Sequence, residues 1–125
     1  MYLKIDFESE KPIYTQLMEQ IIEGVALGTI KEGEALPSVR QMAEDIGINL
    51  HTVNKAYALL KSEGYIKLDR RKGAVINLDF KETKEIIRQK LGEQLKTTLA
   101  EAFCKDITKD EIVEMVHEIY ERFGK

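Results

Sequence analysis

The stretch Leu36 to Gly64, LPSVRQMAEDIGINLHTVNKAYALLKSEG, most tightly limits what this chain can fold into. Val39, Met42, Ala43 and Ile46 recur at i, i+3, i+4 and i+7, which puts them on one face of a short helix. Val53, Ala56, Tyr57 and Leu60 repeat that spacing in a second helix. Only Gly47, Ile48 and Asn49 separate the two, so they must meet at a sharp angle. The punctuation agrees. Ser38 is placed to cap the first helix, and Gln41 three residues on completes a capping-box pattern. Gly47 stops that helix, Asn49 caps the next, and Gly64 stops it.

A hairpin follows at once in YIKLDRRKGAVINL. Ile66 and Leu68 alternate with Lys67, and Ala74, Ile76 and Leu78 alternate with Val75 and Asn77. Period two predicts two strands. Asp69 to Gly73 reads as the turn, with Gly73 supplying conformational freedom. Arg70, Arg71 and Lys72 then sit at its tip.

The flanks are helical. Ile5 and Phe7 alternate around Asp6 in a polar opening segment that reads as a strand or an arm. Pro12 suits the first turn of a helix, where its missing N–H costs nothing. Ile13, Leu17, Ile21, Ile22 and Val25 continue that helix to Gly28. Thr29 to Leu36 reads as a loop entering a short strand. Beyond the hairpin, Ile87, Leu91, Leu95, Leu99 and Phe103 fall at four-residue steps, with Gly92 a point of weakness or bending. Thr108 and Glu111 form a second capping-box pattern. Ile112, Val113, Val116, Ile119, Tyr120 and Phe123 then give one apolar face. The last two helices read as a hairpin joined by Cys104 to Ile107. The expected fold is mainly α with a small β-hairpin: a winged helix-turn-helix over residues 11–79 and a helical dimerisation tail over 80–125.

Charge distribution separates the possible partners. The chain carries 19 Lys and Arg against 22 Asp and Glu, a net charge of −3. Residues 49–78 hold six basic groups and two acids, a local +4, while residues 1–30 hold two basic groups and five acids, a local −3. A polyanion answers to the patch within a Debye length, ~8 Å at physiological salt, more than to the whole chain. A hydrophobic fraction of 43% supports a packed core. No apolar run approaches a membrane span, and the single Cys104 makes no internal disulfide, so a reduced, cytoplasmic setting is expected. Neither a phosphate-binding glycine loop, a metal-ligand cluster nor a catalytic constellation is present, so no cofactor, no metal and no enzymatic activity are expected.

Double-stranded DNA is the partner these elements suit. A helix in the major groove reads base edges with polar side chains near its N-terminus. Asn54 is the best candidate for adenine, because its amide both donates and accepts. His51 suits a purine edge or a phosphate, Thr52 a phosphate or a thymine methyl, and Lys55 a phosphate. Arg40 can fork onto guanine or clamp the backbone. Ser38 and the N-terminus of its helix offer donors to phosphate. Arg70, Arg71 and Lys72 suit a minor groove or the flanking backbone. Each residue alone is more often an ordinary solvated group, and Ser38 is a cap first. Their coincidence on one predicted surface carries the reading.

The ordered motifs PIYTQL, LPSVRQMAEDIGINLHTVNKAYALLKSEGYI and RRKGAVI resemble the winged helix-turn-helix of the GntR family of bacterial transcription regulators, over about residues 11–79. The opening IDFESEKPIYTQL and the short tail look like the YtrA-type branch. The resemblance implies DNA contacts from Arg40, Asn49, His51, Thr52 and Asn54, with Gly73 as the wing glycine. Leu50 stands where many relatives carry a basic or polar residue. Larger branches append a sensor or aminotransferase-like domain, for which the 45 residues from Lys81 onward are expected to be too few. The apolar tail is then expected to pair with a second copy through Leu91, Leu95, Leu99, Ile112, Val116, Ile119, Tyr120 and Phe123. The expected protein is a homodimeric repressor on an inverted-repeat operator, and the resemblance points to transporter genes as its target. The competing class is a winged-helix protein-interaction module. Nothing in the sequence specifies an effector.

Overall fold

Pro12 sets the start of the first helix, α1 (Ile13–Leu27), from one position outside it. Its ψ of 144° keeps it extended, so it occupies the N-cap and not the first helical turn expected for it. At either place the lacking N–H goes unmissed. Gly28 ends α1 in the left-handed region, at φ 81°. The computed structural model describes residues 3–124. After α1 come α2 (Val39–Ile46), α3 (Leu50–Ser62), β1 (Ile66–Asp69), β2 (Gly73–Ile76), α4 (Lys84–Cys104) and α5 (Lys109–Arg122). Five helices and one antiparallel hairpin make the winged helix-turn-helix with a helical tail that the periodicities predict. The described chain divides into two units, one ending at Asp79 and one beginning at Phe80.

In the first unit the core gathers where α1, α3 and the hairpin meet. Leu17, Ile21, Val53, Leu60 and Ile76 are completely enclosed. Burial of each such side chain contributes about 1.5–3 kcal/mol. All four apolar residues read onto one face of α3 are buried. Strand β1 pairs with β2 in the register Ile66↔Ile76, Lys67↔Val75, Leu68↔Ala74 and Asp69↔Gly73. Simple alternation fails at Leu68, at Val75 and at Leu78, which lies past the end of β2 and is exposed. Leu68, expected inward with Ile66, is 65% exposed. Val75, expected outward, is buried because Ala35 bridges to it from the loop before α2. The Leu36 N–H donates to Ala74 O at 2.8 Å, and the Gly33 N–H to Ile76 O at 2.8 Å. The loop thus covers the free edge of β2.

The opening segment is an arm and not a strand. Residues 7–11 turn, which leaves Phe7 61% exposed while Ile5 is buried. Two glutamines of α1 hold the arm. Buried Gln16 accepts from the Asp6 N–H (2.9 Å) and donates through Nε2 to Asp6 O (3.0 Å) and Lys11 O (2.9 Å). Gln20 serves the N–H and carbonyl of Lys4 in the same way. Each amide takes the place of a neighbouring strand's backbone.

Gly24 lies inside α1, where glycine costs about 1 kcal/mol relative to alanine. The reason is Ile30, whose Cδ1 lies 2.6 Å from where a Cβ on residue 24 would stand. The loop is drawn in by the Ile30 N–H and the Thr29 hydroxyl, which both donate to Gly24 O. Gly24→Ala is therefore expected to destabilise the protein by about 1–3 kcal/mol, overpacking outweighing propensity. A urea-unfolding midpoint at or above that of the parent would show that Ile30 steps aside at no cost.

The second unit is two helices in series. Helix α4 runs unbroken through Gly92. It closes in a Schellman turn, with the Ile107 N–H donating to Ala102 O (3.0 Å) and Asp106 N–H to Phe103 O (3.2 Å). Asp106 takes the left-handed position, at φ 61°. The capping box of α5 is complete: Thr108 accepts from the Glu111 N–H, and Glu111 accepts from the Thr108 N–H. The apolar faces of these helices are not spent on each other. Leu91, Leu95, Leu99, Val116, Ile119 and Tyr120 are all exposed, and Phe103 is 82% exposed. Ile112 and Phe123 are half-buried, with the Phe123 ring edge-on to Tyr120 at 6.2 Å.

Candidate nucleic-acid interface

The turn between α2 and α3 sets the interface. Gly47 is left-handed, at φ 78°, and both its N–H and that of Ile48 donate to Ala43 O. The chain then re-enters a helix within two residues. Asn49 caps α3 by accepting the His51 N–H at 2.7 Å. Ser38 caps α2 by accepting the Gln41 N–H at 3.1 Å. The second half of that capping box does not form, because the Gln41 amide donates instead to Asp45 Oδ1, one turn along, at 2.6 Å. A (i, i+4) partner on the same face outcompetes the reach back to the cap.

Tyr57 ties α3 to the approach of α2. Its ring is buried and its hydroxyl donates to Pro37 O at 2.7 Å. Burial raises the phenol's pKa, which keeps it a donor. Sequence periodicity marks Tyr57 only as apolar and gives no sign of this bond.

On the outer side of α3, His51, Asn54, Lys55 and Ala58 are exposed, and Thr52 is half-buried. Lys55 leans toward α1, with Nζ 4.1 Å from the centre of the Tyr14 ring. That cation–π contact orients the ammonium at the flank of the helix. Arg40 stands exposed on the first turn of α2.

The wing tip is a preorganised turn. Asp69 Oδ1 accepts from the Arg71 N–H (2.8 Å) and the Lys72 N–H (3.0 Å). Those two bonds hold the Asp69 carboxyl below its usual pKa, and the charges of Lys72 and Lys67 add to the effect. Gly73, at φ 80°, returns the chain into β2. Arg70, Arg71 and Lys72 are left exposed.

A cleft of about 460 Å³ lies between α3 and the hairpin. Ser38, Asn54, Lys72 and Gly73 all line it, so residues from α2's cap, the outer side of α3 and the wing tip border one opening. Lys61 lines it too. Its place seven residues after Asn54 was the available signal for it. No group of His, Cys, Asp and Glu among the described residues is arranged to hold a metal ion. No described helix is long and apolar enough to cross a membrane.

Known proteins share both sequence and architecture. The family model described as "Bacterial regulatory proteins, gntR family" matches residues 13–76. The HTH-type transcriptional repressor YtrA of Bacillus subtilis (strain 168) is 36% identical over 120 residues, covering 94% of this chain and 91% of that protein. The structure of YtrA from Sulfolobus acidocaldarius, described as a GntR-family transcription factor, aligns with a TM-score of 0.61 at 35% identity, over 98% of this chain and 100% of the other. A structure described as a transcriptional antiterminator from Listeria monocytogenes EGD-e aligns at 0.81 with 29% identity, over 96% and 93% of the two chains. With the capped helices, the tight turn and the cationic wing, these matches establish that the chain belongs to the gntR family of bacterial regulatory proteins, a DNA-binding transcription regulator and not an enzyme.

Proposed function

We propose that this chain is a homodimeric, sequence-specific repressor acting in the cytoplasm on an inverted-repeat operator. Residues 11–79 form its DNA-binding domain and residues 80–125 its dimerising tail. The observation that carries the reading is the exposed polar side of α3, with His51, Asn54 and Lys55, beside a wing whose tip holds Arg70, Arg71 and Lys72 out to solvent on a turn fixed by Asp69. In this reading α3 enters the major groove and Asn54 reads a base. His51, Thr52 and Arg40 contact base edges or the strand beside them. Arg70, Arg71 and Lys72 reach the adjacent minor groove or its phosphates. Asn49 serves through its cap, holding the His51 N–H, and Lys55 flanks the site from its seat on Tyr14. The exposed apolar faces of α4 and α5 support pairing with a second copy. The repressor role follows the name of the Bacillus relative, and transporter genes are the target the family branch suggests.

Asn54→Ala tests the assignment. Specific binding is expected to weaken by about 1–3 kcal/mol and one operator position to lose its preference, while non-specific affinity stays the same. Titration of operator and scrambled duplexes measures both. An equal fall in the two would make Asn54 a backbone contact and remove the basis for base reading by α3.

A further inference from the structure

The cleft between α3 and the hairpin is poorly matched to a phosphodiester strand. Its walls are mostly apolar, with Leu36, Val39, Ala58, Ile66, Leu68 and Ala74 among them. A strand laid into it would give up phosphate hydration against hydrocarbon. An apolar ring would instead cover Leu68, which the hairpin leaves facing water. The volume of about 460 Å³ is that of a small-molecule site, on the scale of roughly 300–1,000 Å³. The charge is one-sided. Lys61 and Lys72 line the cleft and no acidic residue does. Neither lysine belongs to an ion pair among the described residues. Apolar walls with two cations complement a molecule having one hydrophobic body and one negative group.

We propose that this cleft binds a small amphipathic anion, an aromatic or alicyclic carboxylate, and that filling it opposes DNA binding. The ring lies against Leu68 and Ala58, and the carboxylate meets Lys61 and Lys72. Asn54 and Lys72 belong both to the cleft and to the surface assigned to DNA, so one occupant displaces the other. This second half rests on the DNA reading above; the binding site itself does not.

Naphthoate is the probe. Titrated into the full chain, it should give saturable amide shifts by NMR at Ala58, Leu68, Lys72 and Ala74. Removing the charge, either with naphthalene methanol as ligand or with Lys61→Ala as protein, should weaken binding by about tenfold. Ala58→Phe, at a position on α3 that is exposed and lines the cleft, should abolish it by filling the cleft. Shifts confined to α4 and α5, equal affinity for the neutral alcohol, or full binding by Ala58→Phe would each overturn the site. In a second arm, saturating naphthoate should raise the apparent Kd of the parent chain for a duplex selected from a random pool. An unchanged Kd would overturn the competition. A chain that takes up naphthoate but no duplex would sink the DNA reading and leave the site standing.

Discussion

Removing everything after Leu78 is expected to leave a folded monomer whose operator affinity is about 10²–10⁴-fold weaker, the range by which joining two binding modules exceeds either alone. Folding should survive because the tight packing of α1 on α3, of α2 on α3 and of α3 on β1 all lies before residue 79. What is lost is the apolar surface of α4 and α5. Leu91, Leu95, Leu99, Val116, Ile119 and Tyr120 are exposed in a single copy, and water-exposed faces of that kind gain by association. One winged helix offers a limited contact area, and two held together at fixed spacing bind the second half-site at high effective concentration. Sedimentation velocity of both forms, with operator titration alongside, measures the effect. A full-length monomer at micromolar concentration would refute dimerisation. Undiminished operator affinity in the truncated form would show that the tail plays no part in it.

The second large effect is expected at the wing. Replacing Arg70, Arg71 and Lys72 together by alanine should flatten the dependence of log K on log salt by about 2.7 units, from ~0.9 for each phosphate no longer neutralised. Between roughly 50 and 200 mM salt that amounts to about 40-fold less loss of affinity. The turn itself should persist, because Asp69 accepts backbone N–H groups that alanine retains. An unchanged slope would reduce the basic tip to a solubilising turn. The state of Asp69 also sets a pH dependence. Its pKa is lowered in the folded protein, chiefly by the Arg71 N–H. The turn's stabilisation is therefore complete above the unfolded-state pKa and fades as pH falls through the folded value. Wing-dependent binding should be flat through neutral pH and decline only in acid.

Much of this protein is written in local patterns. The apolar spacing of Val53, Ala56, Tyr57 and Leu60, the caps Ser38, Asn49 and Thr108, and the stops Gly28, Gly47 and Gly64 each act within one or two turns of helix. Sequence alone therefore determined the helices, the hairpin and the ordered motifs of a gntR-family regulator. Candidate contacts were legible for the same reason: Asn54 and the Arg70 to Lys72 tip are exposed wherever those elements form. Tertiary structure decided what each side chain faces. Val75 is buried where Ala35 lies against β2, a Cβ on residue 24 would meet Ile30 folded onto α1, and the Tyr57 hydroxyl finds its acceptor in Pro37 O. Gln41 turns from its cap to Asp45, Lys55 sits over Tyr14, and Leu68 is left above an open cleft. Periodicity reports which face of an element is apolar. It carries no record of which distant segment, or how much empty space, that element meets when the chain closes.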